Sequence, residues 1–263
     1  MAELISKNEL MDLLRRLRAE AVLTQEQLAT RLNVSTSLIA KFETGRLTPM
    51  ADTAAHMDRV YGTGDEVQRA SARVRDRLKP RWFLPWEQAE QRAVTLRSFE
   101  ASVIPGLLQT EAYARSVLDD GSRSAEEVDE QVSIRLSRQP AVLDREDPPT
   151  CTFILDADAL RCGPPTVAKE QLQHLVDVGL RPNIFVRVIP GSVRDHPGRS
   201  GAFIHATLEN GESAGYTEDL FEGRVTVDPV RLGRMDRLWH AVCAVALPCD
   251  MSRDLISKLV DEL

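Results

Sequence analysis

Between Thr24 and Glu43 the chain reads TQEQLATRL-NV-STSLIAKFE, two helix-length stretches separated by two residues. Thr24 precedes Gln25, Glu26 and Gln27, so its hydroxyl can cap the first stretch, with Gln27 three residues on as in a capping box. Ser35 can cap the second in the same way. Two short helices on so tight a link form a helix-turn-helix unit when an apolar residue from each part packs at the centre. Leu28, Val34, Ile39 and Phe42 have the spacing for that. In such a unit the second helix presents its N-terminal residues to the major groove while the helix ends hold phosphates. With Val34, Ile39 and Phe42 inside, Thr36, Ser37, Ala40 and Lys41 are left outside as base-edge candidates, joined by Ser35 at the cap. Gln25, opening the preceding helix, can donate to a phosphate with help from the helix dipole.

The flanks continue the helical pattern. Leu10, Leu13, Leu14 and Leu17 predict an amphipathic helix over Lys7 to Ala19, with Arg15, Arg16 and Arg18 on its polar sides. Gly45 can stop the third helix, Pro49 stands where a fourth begins, over Met50 to Tyr61, and Gly62 to Gly64 end it. A further helix from Asp65 to Leu78 serves as a connector. Charge follows the same division. Residues 1–80 hold 13 Lys+Arg against 11 Asp+Glu, a net +2, which leaves 20 against 29, a net -9, for the rest. A weakly basic head on an acidic body can bind a polyanion through the head alone.

At KPRWFLPWE, residues 79–87, the chain changes character, with two tryptophans, a phenylalanine and two prolines in nine residues. Helices are predicted over Glu87 to Glu100, Thr110 to Leu118 and Ala125 to Arg138, with a turn at Ile104-Pro105-Gly106 and a loop over Pro140 to Pro149. Strand-like runs follow at Thr152 to Asp156, Ile184 to Ile189, Ala202 to Leu208 and Gly215 to Thr217, with a helix near Val167 to Val178 and helices again over Pro229 to Leu247 and Ser252 to Leu263. The expected fold is an N-terminal all-α helix-turn-helix domain over residues 1–79, followed by an α+β domain with a small mixed sheet over 80–263.

TQEQLATRLNVSTSLIAKFETGRLTP resembles the helix-turn-helix of the Xre/Cro/C1 repressor family, lambda-repressor-like in fold, over roughly residues 8–61. The resemblance implies that Glu43 braces the helix from within and that Arg46 lies by the DNA backbone. It departs at Thr36 to Ala40, where small side chains replace the glutamines and arginines of many relatives, so base readout is expected to lean on thymine methyl contacts. The remainder, above all VIPGLLQTEAYA together with SIRLSRQ, FILDADALR, NIFVRVIP and HPGRSGAF, resembles the actinobacterial DUF5753 domain that follows Xre-type heads. That resemblance implies a Streptomyces-like regulator and a small DUF397-type protein partner with toxin-antitoxin-like logic. Asp156 to Asp158 depart from it, since relatives often carry a glutamate before Ala-Leu-Arg.

Site candidates in the second domain are weaker. The helix from Ala125 ends near Arg135, Arg138 and Gln139; these either satisfy its C-terminus and neighbouring acids or line a recess, with Glu100 and Gln109, for an anionic ligand or a partner's acidic tail. Acids over Asp119 to Glu130 suit a basic partner. Asp156 and Asp158 alternate across a strand end, so only one can face a given cavity, and capping is the expected role. No Cys/His pair has zinc spacing, and Gly191 to Gly201 lacks a P-loop ending. No serine or cysteine is marked as an activated nucleophile, so no enzyme, cofactor or metal is expected. Trp82, Phe83 and Trp86 are expected to seal a junction. Cys151, Cys162, Cys243 and Cys249 include no CxxC pair, which predicts reduced thiols. The longest apolar runs fall short of the roughly 18 residues that cross a bilayer, and MAELISKNEL carries charge where a leader would be apolar. The expectation is a cytoplasmic homodimer on double-stranded operator DNA, with no membrane contact and a small protein or small-molecule effector.

Overall fold

A computed structural model describes residues 6–219 and 221–263. Met1 to Ile5, where the absence of a leader is expected, lie outside them. The described chain forms two units: residues up to Arg81 together with Gly121–Ile134, and Trp82–Asp120 together with Arg135–Leu263.

In the first unit, helices α1 (Lys7–Glu20), α2 (Gln25–Leu32), α3 (Thr36–Glu43), α4 (Ala51–Tyr61) and α5 (Glu66–Leu78) follow the leucine spacing. Capping boxes start α1 at Ser6 with Glu9 and α2 at Thr24 with Gln27, and the Ser35 hydroxyl accepts from the Leu38 amide to start α3. Asn33, at φ 55°, takes the left-handed conformation that turns α2 into α3 within two residues. Leu14, Leu28, Ile39, Phe42 and Met57 meet in one core, with Val34 packed against it. Gly45, at φ +70°, ends α3 where a Cβ would stand 2.5 Å from the Met11 sulfur. Helix α5 begins at its cap residue Asp65 as expected, and the Asp58 carboxylate near the end of α4 accepts from the Val67 and Gln68 amides at 2.9 and 3.0 Å. Burial works against its charge, but those bonds and the Thr63 hydroxyl hold its pKa below the usual carboxylate value.

The second unit carries a six-stranded sheet in the order β3-β2-β1-β4-β5-β6. Its strands are β1 (Ala93–Glu100), β2 (Thr150–Asp156), β3 (Ile184–Ile189), β4 (Phe203–Leu208), β5 (Ser213–Glu218) and β6 (Gly223–Thr226). β1, β2 and β3 pair in parallel, whereas β4 joins β1 and β5 joins β4 antiparallel, so the sheet is mixed. Around it stand α6 (Leu84–Gln91), α7 (Glu111–Leu118), the end of α8 (Ala125–Leu143), α9 (Pro165–Val178), α10 (Pro229–Val245) and α11 (Cys249–Glu262). One cluster packs Leu96, Phe153 and Leu155 with Leu172 of α9 and Ile256 of α11; another packs Phe99, Ile154 and Phe203 with Trp239 of α10. Both faces of the sheet are thus covered, as parallel strands require.

Two local expectations are corrected, and one strand was not foreseen. The helix expected over Glu87 to Glu100 stops at Gln91, and the rest is β1, a strand paired on both sides. Ladder bonds on two edges override the helix propensity of Ala93, Leu96, Arg97 and Glu100 there. The expected loop from Pro140 starts late, because α8 runs to Leu143 and the Asp144 amide bonds the Pro140 carbonyl. Four-residue β6 carries too short a pattern to have been foreseen.

Candidate nucleic-acid interface and a polar recess

Helix α3 presents its candidate residues unevenly. Thr36 and Ser37 are exposed and Ala40 is half-exposed, while Ile39 and Phe42 are buried as the spacing predicts. Ser35 is exposed, with its hydroxyl committed to the cap. Gln25 points inward: its amide nitrogen donates to Glu43 at 2.8 Å. Glu43 lies 4% exposed and also accepts from the Arg18 guanidinium at 2.5 and 2.9 Å, while Arg18 reaches the Leu23 carbonyl. Burial pushes the Glu43 pKa up, but Arg18 and Gln25 outweigh it and hold the carboxyl below the usual range. The brace that the resemblance implied for Glu43 therefore ties α1, α2 and α3 together and takes up the group expected to meet a phosphate.

The basic rim of α3 is occupied by the start of α8. Lys41 Nζ stands 3.3 Å from Asp129, Arg46 Nε 3.9 Å from Glu126, and Lys7 Nζ 2.7 Å from Glu130. Glu130 also accepts from the buried Thr48 hydroxyl at 2.8 Å. Residues 126, 129 and 130 share one helix face by their spacing, so one row of carboxylates meets Lys7, Lys41 and Arg46. The charge balance follows. Residues 1–81 hold 14 Lys+Arg against 11 Asp+Glu, and 121–134 hold 1 against 4, so the first unit is neutral overall. The sequence offered these acids to a separate partner; their three- and four-residue spacing was the available sign of a docked face.

In the second unit Glu100, Gln109, Arg135 and Arg138 do line one recess, of about 240 Å³, with Phe83, Trp86 and Tyr216 among its walls. Gln139 stands behind it, its amide donating to the Gly106 and Gln109 carbonyls at 3.1 and 2.7 Å and so holding the turn in place. Arg138 is neutralised by Glu90 through bonds of 2.8 to 3.1 Å and lies 4.6 Å over the Phe83 ring. Arg135 donates to Gln109 at 3.2 Å. Among the described residues it makes no ion pair. Burial accordingly lowers its pKa. Glu218, which sequence reasoning missed, enters from the end of β5 and accepts from the Tyr216 hydroxyl at 3.1 Å. Burial first, then Glu218, pushes the Glu100 carboxyl up to about 8.

The other candidates are structural. Asp156 accepts from the Asp158 amide at 2.9 Å, the capping role expected, and bonds buried His196 at 2.8 Å. Trp82 and Trp86 stack on Tyr216 and Phe83 meets it edge-on, all inside the second unit. The four cysteines are unpaired. Among the described residues no helix is long and apolar enough to cross a membrane.

Two family models match the chain. Residues 86–258 match the family described as a domain of unknown function (DUF5753), and residues 9–72 match a helix-turn-helix domain. No curated protein and no solved structure matches the chain.

Proposed function

The chain belongs to the DUF5753 family and carries a helix-turn-helix domain ahead of that region, and from this premise we propose a sequence-specific transcriptional regulator of the Xre/Cro type, actinobacterial and cytoplasmic, working as a homodimer. The observation that supports it is the outward face of α3, where Thr36 and Ser37 are exposed and Ala40 half-exposed, with the cations Lys41 on the same helix and Arg46 just after it. Small side chains there read bases through hydroxyl bonds and methyl contacts, and the two cations place the helix on the backbone.

The same cations give the head a closed state. Asp129 and Glu126 occupy Lys41 and Arg46, so operator phosphates have to replace carboxylates before α3 can seat. Such competition lowers affinity by the fraction of heads that stand open. The second unit is then a binding domain rather than an enzyme, and its recess is the place for an effector. A DUF397-type protein using the acids of α8 would compete with Lys7, Lys41 and Arg46 for them, which favours the small-molecule form of the reading.

Selection from random duplex DNA followed by titration of the selected site tests the proposal. Lys41→Ala should weaken binding across sequences and reduce the slope of log affinity against log salt by about 1. Thr36→Ala should relax preference at one base position. If Lys41→Ala binds the selected site like the unaltered protein at two salt concentrations, α3 is not the DNA-reading helix.

A further inference from the structure

The recess of the second unit contains a charge arrangement left incomplete by the protein. Strand pairing sets Phe99 opposite Phe203 and Ile204 opposite Tyr216. The same register brings Glu100 and Glu218 to the level of Ala202, one strand to either side of it. Their backbones are then about 10 Å apart, two strand spacings, with Ala202 contributing only a methyl group to the floor between them. Across from this floor, α8 supplies Arg135, held by Gln109 but without an ion pair among the described residues. Arg138 adds no net charge, because Glu90 neutralises it. Two acidic side chains on one side and one guanidinium on the other therefore face a common space.

An anion placed there would meet Arg135 but also the Glu218 carboxylate, with Glu100 able to add a second negative charge, so the anionic ligand expected from the arginines alone is disfavoured. A simple amine would satisfy the acids and leave Arg135 without a counter-charge. We infer that the recess binds a small zwitterion, its ammonium group between Glu100 and Glu218 and its carboxylate on Arg135, with the rest of the molecule against Phe83, Trp86 and Tyr216. An apolar cavity of about 150 Å³ takes one benzene. A recess of about 240 Å³ therefore admits about ten heavy atoms, the size of an amino acid.

The acid in the site supports this charge pattern. Without a cation Glu100 rests mostly protonated at neutral pH, with its carboxyl at about 8. The charged groups around it are Glu218 on β5 beside Tyr216, Arg135 and Arg138 on α8, and Glu90 on α6 behind Arg138. An incoming ammonium favours the ionised carboxylate, so binding at pH 7 releases a proton from Glu100 to the buffer.

This inference rests on reading the second unit as an effector domain only for its consequence at DNA; binding in the recess is measured without DNA. The twenty common amino acids, with ethylamine, acetate and inorganic phosphate as single-charge probes, are tested on the full chain for a rise in melting temperature at about 10 mM. At least one amino acid should stabilise the protein more than any single-charge probe. Calorimetry with that amino acid at pH 7 should give a heat that varies with the ionisation enthalpy of the buffer, in the sense of proton release, and should lose that dependence at pH 9. Glu218→Gln and Arg135→Leu should each weaken it about tenfold or more. Ala202→Leu, which fills the floor and leaves every charge in place, should abolish it. The inference is overturned if acetate, phosphate or ethylamine alone stabilises as well as the best amino acid, or if none of the twenty does. An amino acid that binds in this way without altering operator affinity upholds the site and removes the effector role.

Discussion

Glu43 and Glu100 are both acids turned toward the interior, and their neighbours give them opposite charge states. Glu43 has Arg18 and Gln25 on its oxygens and stays ionised; Glu100 has no such partners among the described residues, and burial first, then Glu218, drives it toward the neutral form. Removing Glu43 by Glu43→Ala leaves Arg18 without its charge partner, and breaking such a buried pair costs about 3 to 5 kcal/mol, to be read from urea unfolding. A loss under about 1 kcal/mol would mean the brace is a surface pair. For Glu100 the folded pKa, about 8, lies above the ordinary 4.5. Its neutral form is at ease below pH 4.5, and stability drains as pH rises from there to 8. Glu100→Gln keeps the shape and removes the titration, so its melting temperature should match the parent near pH 4 and exceed it increasingly up to pH 8, by at most a few kcal/mol of stability. An equal difference at both ends of that range would place Glu100 in water.

Among the elements, α8 takes part in both candidate sites: Glu126, Asp129 and Glu130 in its first half pair with the head's cations, and Arg135 and Arg138 in its second half line the recess. Lifting the first set should open α3. Two partly exposed pairs are worth together about 1 kcal/mol, so the double variant Glu126→Gln, Asp129→Asn should tighten operator binding about fivefold at low salt, less at high salt. Unchanged or weaker binding in a titration would show that these acids do not compete with phosphate. Helix α3 depends on a different contact. Ile39 is fully buried, and Ile39→Ala should cost about 2 to 5 kcal/mol in denaturant unfolding of the head. The caps at Thr24 and Ser35 were legible from residues three apart, because a cap bond is closed within one turn. β1 was not, since Glu, Gln, Ala and Arg before Val94 speak for helix locally and its ladder partners lie over 50 and 100 residues away.

At the scale of the whole molecule, charge regroups when the chain folds. The sequence divides as +2 and -9, but with 121–134 in the first unit the division is 15 Lys+Arg against 15 Asp+Glu there and 18 against 25 in the second. On the function proposed above, one short helix on a neutral unit would gain affinity for DNA poorly, and a homodimer placing two heads about 34 Å apart on a palindrome would repair this. Sedimentation at micromolar concentration should give about twice the 29.3 kDa chain mass; a single-chain mass with one half-site protected on DNA would refute the dimer. What the sequence alone determined were the features closed over a few residues: the caps, the leucine stripes, the buried Ile39 and Phe42, and the helix-turn-helix link. It also marked Glu100, Gln109, Arg135 and Arg138 as candidates, without saying which of them carry free charge. Tertiary structure alone decided that Glu90 neutralises Arg138, that Glu218 joins Glu100, and that Asp129 meets Lys41 across 88 positions of chain. Such pairings depend on which strands and helices lie side by side, and nothing in the local spacing of residues encodes the partner at that distance.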